Sequence, residues 1–146
     1  MDFAYSPKVE DLRSRLTGFM DSHVYPAEAV YEEEMREAGD PHHHPKVMEH
    51  LKAEARNQGL WNLFLPADSD LSVLEYAPLA EITGHSPEIA PEAINCSAPD
   101  TGNMEILHVF GSDQQKEMWL APLLDGEIRS CFSMTEPAVA SSDASN

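Results

Sequence analysis

The sequence predicts an all-α domain that is followed by the first strand of a β structure. Apolar residues recur at helical spacing through roughly the first 125 residues, and Ser, Asp, Pro and Gly stand where helices begin and end. Only the stretch from Ile128 to Met134 alternates between apolar and polar residues as a strand does. We therefore expect a helical domain over residues 1–127 and the start of a β domain over residues 128–146.

The first three helices follow from their end signals. Ser6 and Pro7 are typical of a helix N-cap and first turn, and Pro26 is expected to end or kink this first helix. A second helix is predicted over 27–38, with Gly39 just after its end. A third helix is predicted over 46–58 and stops at a glycine. The apolar stretch GLWNLFLP that follows is expected to pack against these helices through Trp61, Leu63, Phe64 and Leu65.

Two capping boxes mark later helices. Ser72 stands three residues before Glu75, and Ser112 stands three residues before Gln115. Between these helices we expect a short helical piece around Pro91 to Cys96 and a helix over 102–110. Asp100 is the predicted N-cap of the latter helix.

The single strand at the end raises a question about the chain as a whole. Strands need partners for their backbone groups, so one strand is not stable alone. We therefore expect the chain to be cut just after a domain boundary, with the rest of the β domain missing.

Charge and hydropathy exclude some functions. With 26 acidic and 9 basic residues the net charge is −17, which repels nucleic-acid phosphates and anionic lipid. No apolar run approaches the ~20 residues that span a bilayer. The start, MDFAYSPKVED, has neither the basic nor the apolar part of a signal peptide. We expect a cytoplasmic protein that binds neither nucleic acid nor membrane.

The cysteines and histidines offer no clear metal or nucleophile signature. Cys96 and Cys131 are interpreted as buried, reduced thiols, with a disulfide as the less favoured alternative. Adjacent residues such as His42, His43 and His44 rarely point at one metal ion, and no cysteine or carboxylate completes a zinc-like spacing. We predict no metal site.

The final stretch, SCFSMTEPAVASSDASN, is the most site-like part of the sequence. Thr135, Ser141 and Ser142 offer hydroxyl groups, while Ala138 and Ala140 permit close approach of a flat or phosphorylated ligand to the backbone. The alternative is an ordinary serine-rich loop or a frayed terminus.

Longer patterns in the sequence add a resemblance. GSDQQKEMWLAPLLDGEI followed by SCFSMTEPAVASSDASN resembles the acyl-CoA dehydrogenase family. AEARNQGLWNLFLP and NCSAPDTGNMEIL are similar to the branch of that family that contains members 10 and 11. The resemblance implies the N-terminal helical domain of the acyl-CoA dehydrogenase fold, with a β domain and a C-terminal helical bundle still to follow. In the family, FAD lies between those two later domains and across a subunit interface.

The resemblance also implies site residues. The predicted FAD-contacting segment consists of Phe132, Ser133, Met134, Thr135, Glu136, Pro137, Ala138, Val139, Ala140, Ser141 and Ser142. The resemblance implies that either Ser141 or Ser142 lies near the pyrophosphate and that one of them is also near the acyl-CoA. It does not decide between the two serines, because alanines replace two family glycines here and the segment carries one extra residue. The implied acyl-CoA residues are Ser141, Ser142, Asn95 and Asn103.

The implied chemistry is α,β-dehydrogenation of an acyl-CoA thioester, with the β-hydride passing to flavin N5 and the α-proton to a glutamate base. The family's base lies in the C-terminal bundle, so the catalytic residue is unknown in this chain and Glu136 is not assigned to the role. Lys116 and Arg129 are local cations that could help to hold polyanionic CoA. The implied partners are an electron-transfer flavoprotein and further copies of the chain, in a homodimer or homotetramer. The alternatives are a non-catalytic helical interaction module derived from the family and an acyl-CoA oxidase-type flavoenzyme.

Overall fold

The structure is a computed structural model that describes residues 4–140 and 143. The chain divides into two compact units, Met1–Ser97 and Ala98–Asn146. Helices α1 to α6 belong to the first unit and α7 to α9 to the second. Their bounds are Pro7–Phe19 (α1), Tyr25–Ala38 (α2), Lys46–Asn57 (α3), Pro66–Ser69 (α4), Val73–Thr83 (α5), Ala90–Ala93 (α6), Asp100–Phe110 (α7), Asp113–Gln115 (α8) and Ala121–Leu124 (α9). The prediction of an all-α fold class is confirmed.

The predicted helix ends are confirmed where their chemistry is local. The Ser6 hydroxyl accepts the Val9 N–H at the start of α1. Both capping boxes are formed, at Ser72 before α5 and at Ser112 before α8. These contacts satisfy backbone N–H groups that have no partner within the helix.

Two prolines sit just after π-helical turns. Met20–Val24 is a π turn between α1 and α2, and Pro26 lies in the first turn of α2. Lys116–Leu120 is a π turn before α9, which carries Pro122 in its first turn. A proline cannot donate the regular helical hydrogen bond and clashes with the carbonyl four residues before it, and a π turn relieves both problems. The helical path therefore continues through Pro26 and does not end there.

The first unit is held by an apolar core. Helix α1 packs on α5, α3 packs on α2 and α6, and α5 packs on α6. The stretch GLWNLFLP lies in this core, as predicted, with Leu60, Leu63, Phe64 and Leu65 buried. Trp61 is half-buried, and the guanidinium of Arg56 lies 3.7 Å from its ring centre. The largest fully buried side chains of this unit are Phe19, Leu16, Met20, Met48, Leu51, Leu60, Leu71, Leu79 and Ile94.

In the second unit, α7 packs on the π turn Lys116–Leu120 and on α9. The strand predicted over Ile128 to Met134 is not formed in the described part of the chain. The described residues contain one isolated antiparallel bridge, between Glu136 and Val139. Because a strand is defined by hydrogen bonds to a neighbouring strand, the alternating pattern alone could not produce one here.

Two further predictions were wrong in detail. Asp100 is the first residue of α7 and not its N-cap, because its carboxylate binds elsewhere in the second unit. Cys131 is exposed, whereas Cys96 is buried, and both are free thiols. Within residues 4–140 and 143, every helix is too short or too polar to cross a membrane.

Candidate functional site

The predicted flavin loop, Phe132 to Ala140, lies on the surface of the second unit. Every residue of this stretch is exposed except Val139, which is partly buried. The loop includes two large exposed apolar side chains, Phe132 at 66% and Met134 at 49% exposure. Ser141 and Ser142, which were predicted to bind pyrophosphate and acyl-CoA, lie outside the described residues. The loop therefore offers apolar side chains and a hydroxyl-bearing residue, Thr135, on one short accessible segment.

The residues just before this loop are anchored to helix α7. Asp100 Oδ1 accepts the backbone N–H of Ser130 at 2.7 Å and the Ser130 hydroxyl at 2.6 Å. The other carboxylate oxygen lies 2.6 Å from Nε of Arg129. One turn along α7, the amide of Asn103 donates to the Ser130 hydroxyl at 2.8 Å and to the Cys131 carbonyl at 3.4 Å.

Sequence reasoning missed the role of Asp100. The residue is separated from Ser130 by 30 positions, and no local pattern connects them. The available signal was the spacing of Asp100 and Asn103, which places both on one face of a helix. Arg129, which was predicted to be a cation for CoA, has its guanidinium paired with the Asp100 carboxylate.

A cavity of about 430 Å³ adjoins this anchor in the second unit. Its wall is mainly apolar, and Asn103, Arg129, Ser130 and Cys131 form the polar part. The apolar lining residues are Ile106, Leu107, Trp119, Leu123 and Ile128. Asn103, a predicted substrate residue, thus lies at a cavity and within hydrogen-bonding distance of the segment that leads to the flavin loop.

The other predicted substrate asparagine has a different setting. Asn95 is buried in the first unit, and its amide donates to Asn62 Oδ1 at 2.7 Å. The Asn62 backbone N–H also donates to the Ile94 carbonyl at 3.1 Å. These contacts tie two turns of the first unit together.

Titratable groups with shifted pKa values lie in the first unit. Burial raises the pKa of the Cys96 thiol to about 11, although a hydrogen bond from Tyr76 opposes this shift. Burial likewise raises the pKa of Tyr76. A hydrogen bond from His44 at 2.8 Å, opposed by partial burial and supported by Lys52, lowers the pKa of Glu49. No cluster of three or more His, Cys, Asp or Glu among the described residues has the arrangement of a metal site.

Comparison with known proteins identifies the class of protein to which the chain belongs. The sequence matches the family described as "Acyl-CoA dehydrogenase, N-terminal domain" over residues 6–127. The chain therefore belongs to the acyl-CoA dehydrogenase family, which confirms the resemblance noted in the sequence.

Individual relatives agree with this assignment. The chain is 65% identical to the protein named "Probable acyl-CoA dehydrogenase FadE2" of Mycobacterium tuberculosis, over 100% of this chain and 36% of the relative. It is 52% identical to acyl-CoA dehydrogenase family member 11 of Gallus gallus, over 99% of this chain and 19% of that protein. A solved structure of a Mycobacterium abscessus protein assigned to the acyl-CoA dehydrogenases matches with a TM-score of 0.85 and 49% identity, over 97% of this chain and 37% of the other. The chain thus spans between about a fifth and about a third of the length of these relatives.

Proposed function

We propose that this chain serves as the N-terminal portion of an FAD-dependent acyl-CoA dehydrogenase that oxidises the α,β bond of an acyl-CoA thioester. One observation carries the proposal: similarity to the mycobacterial dehydrogenase covers 100% of this chain and so runs through the predicted flavin loop. The chain alone is catalytically incomplete in this proposal, because the base that takes the α-proton is assigned to no residue of it.

The chemistry of the loop fits an isoalloxazine ring. Phe132 and Met134 offer apolar surface that a flat aromatic ligand can cover, and the Thr135 hydroxyl can hydrogen-bond to ring heteroatoms. When bound, FAD would supply the acceptor for the β-hydride. The chain's own contribution is to bind and orient that cofactor through residues 132–142, with Ser141 or Ser142 at the pyrophosphate.

The two asparagines predicted to contact the substrate differ in their surroundings. Asn103 lies at the cavity of the second unit, which supports a place near the acyl-CoA. Asn95 is buried and hydrogen-bonded to Asn62, which favours a structural role instead. The proposal also includes an electron-transfer flavoprotein as the electron acceptor, assembly into a homodimer or homotetramer, and a cytoplasmic location.

The test is a spectrum of the purified full-length protein under anaerobic conditions. We expect a flavin absorption band that bleaches when acyl-CoA is added and recovers slowly when air is admitted. Rapid recovery in air would instead indicate the oxidase-type alternative. Protein that folds and dimerises without any flavin would favour the interaction module and overturn the proposal.

A matched pair of variants connects the spectrum to the loop. Met134 and Met118 lie in the same unit and are equally exposed, at 49% and 50%. We expect Met134→Ala to lower the affinity of the apoprotein for FAD and Met118→Ala to leave it unchanged. Equal FAD affinities in the two variants would remove the loop from the proposed cofactor site.

A further inference from the structure

The flavin loop follows directly on the segment Arg129 to Cys131. From Phe132 to Ala140 every residue except Val139 is exposed, and the described backbone contacts include the bridge between Glu136 and Val139 and a hydrogen bond from the Asp143 N–H to the Ala140 carbonyl at 2.9 Å. That bridge closes a turn within the loop and does not fix the loop against a helix. Because Phe132 follows Cys131 directly, contacts that hold Arg129 to Cys131 also determine where the loop begins.

That preceding segment is held through three successive residues. The Asp100 carboxylate forms an ion pair with Arg129 and accepts hydrogen bonds from the backbone N–H and the hydroxyl of Ser130. The Asn103 amide donates to the Ser130 hydroxyl and to the Cys131 carbonyl. Asp100 and Asn103 stand on one face of α7, three residues apart. We call this arrangement the α7 clamp.

The hydrogen-bond directions in the clamp are determined by chemistry. A carboxylate only accepts hydrogen bonds, so the Ser130 hydroxyl donates its proton to Asp100 Oδ1. A lone pair of the same hydroxyl then accepts the amide N–H of Asn103. Each partner thereby fixes the rotation of the serine side chain, and linked hydrogen bonds of this kind reinforce one another.

Burial and charge make Asp100 the critical member of the clamp. Only 3% of the residue is exposed, so its charge needs compensation within the protein. Arg129 supplies an opposite charge, the Ser130 N–H and hydroxyl supply two donors, and the N-terminus of α7 favours a carboxylate at this position. Removing the charge disturbs the contacts to Arg129 and Ser130 together.

We propose that Asp100, through its contacts with Arg129 and Ser130, is a positioning residue that sets where the flavin loop begins. The inference rests on the proposed function, since it assigns a purpose to the anchor of the loop. Asp100 touches the loop's leading segment, acts on FAD only through it, and takes no part in proton or hydride transfer.

The experiment uses the full-length protein and three variants. Asp100→Asn removes the negative charge and keeps nearly the same side-chain shape. Ser130→Ala is milder, because the backbone N–H can still donate to Asp100. Glu105→Gln is the control, since it removes an exposed carboxylate from the same helix without any described contact to the segment.

The first measurement is hydrogen–deuterium exchange of the backbone amides from Ser130 to Glu136, in protein stripped of any flavin. We expect faster exchange in Asp100→Asn, a smaller increase in Ser130→Ala and no change in Glu105→Gln. If exchange is the same in all four proteins, the clamp does not order this segment and the inference is wrong, whatever the flavin result.

The second measurement is FAD affinity and the absorption spectrum of bound FAD, taken well below the melting temperature of each variant. We expect the dissociation constant to rise about tenfold or more in Asp100→Asn, in keeping with loss of charge-assisted hydrogen bonds, with a shifted flavin band. Faster exchange with unchanged affinity and spectrum would mean a merely structural clamp, and would overturn the positioning role. A wild-type protein that binds no FAD would overturn the proposed function, and this inference with it.

Discussion

Asn95 and Asn62 meet in the core of the first unit, where the Asn95 amide donates to Asn62 Oδ1 at 2.7 Å. Both residues adopt left-handed backbone conformations with φ of 55°, a region that asparagine tolerates better than most residues. The pair thus combines a special backbone conformation with a buried hydrogen bond between segments 33 residues apart.

We predict that Asn95→Ala lowers the free energy of unfolding by about 2–4 kcal/mol, because it leaves the Asn62 amide oxygen without this donor and puts alanine, which tolerates the left-handed region less well than asparagine, at a φ of 55°. Urea denaturation measures the change. Asn57→Ala, at an exposed asparagine, is the control and should cost far less. A stable Asn95→Ala protein with impaired acyl-CoA binding would contradict the structural role and restore the role in substrate binding.

The hydrogen bond between His44 and Glu49 leads to a prediction about pH. The pKa of Glu49 is below its usual 4.5 chiefly because of this hydrogen bond. A carboxylate with a lowered pKa stabilises the fold above its ordinary pKa, and this contribution disappears as the pH falls through the lower, folded value. We predict that His44→Ala moves the pKa of Glu49 toward 4.5, as measured by NMR titration of its carboxyl carbon.

The same variant should lower stability at pH 7 by less than about 1 kcal/mol, because the Glu49 side chain is 62% exposed and solvent screens the interaction. The difference from wild type should shrink as the pH falls through the folded pKa of Glu49, because the carboxylate is then protonated in both proteins. His42→Ala, two residues earlier in the same histidine run, should leave the Glu49 pKa where it is. An unchanged pKa in His44→Ala would remove His44 as the cause.

Local chemistry was readable in the sequence, and long-range contacts were not. Ser72 and Glu75 stand three residues apart, so their spacing alone defines the capping box that the structure contains. Asp100 also matched the pattern of an N-cap, yet its carboxylate accepts a hydrogen bond from Ser130, 30 residues away. The outcome depended on which distant groups the fold brings together, and a helix-end pattern does not carry that information.

The end of the chain shows a second limit of sequence reasoning. Alternation from Ile128 to Met134 predicted a strand with Cys131 buried, but burial needs a covering surface and a strand needs a neighbour. In the described residues no neighbouring strand pairs with this segment, and Cys131 is exposed. The flavin loop itself was identified through family resemblance, and its role stays a prediction.

The two cysteines should differ sharply in reactivity. Thiolate is the reactive form, and burial raises the pKa of Cys96 to about 11, so its thiol stays protonated and covered at neutral pH. Cys131 is exposed to solvent. We predict that iodoacetamide labels Cys131 in the folded protein and labels Cys96 only in denaturant, with peptide mass spectrometry as the measurement. Rapid labelling of Cys96 under native conditions would mean that its site opens readily.

The raised pKa of Cys96 also affects stability in alkali. A group with a raised folded pKa contributes its full stabilisation below its unfolded pKa and loses it as the pH rises through the folded value. Stability should therefore fall between about pH 8.5 and pH 11. Cys96→Ala should show a smaller fall over this range, although Tyr76 also has a raised pKa and keeps part of the effect.

Two glycines of the second unit should respond in opposite ways to alanine. Gly111 caps α7, and a β-carbon there would lie 2.4 Å from the Leu107 carbonyl oxygen, which is backbone and cannot rotate away. Gly102 lies within the same helix, and a β-carbon there would meet nothing within 4 Å. We predict that Gly111→Ala lowers the free energy of unfolding by about 1–3 kcal/mol through overpacking.

Gly102→Ala should instead raise the free energy of unfolding by about 0.5–1 kcal/mol, since alanine loses less conformational entropy than glycine when a helix forms. Both changes add one methyl group to one helix, so each variant controls for the other. Thermal unfolding of the two proteins measures the difference. Equal destabilisation by both variants would mean that neither the close carbonyl at Gly111 nor the open space at Gly102 determines the effect of the added methyl group.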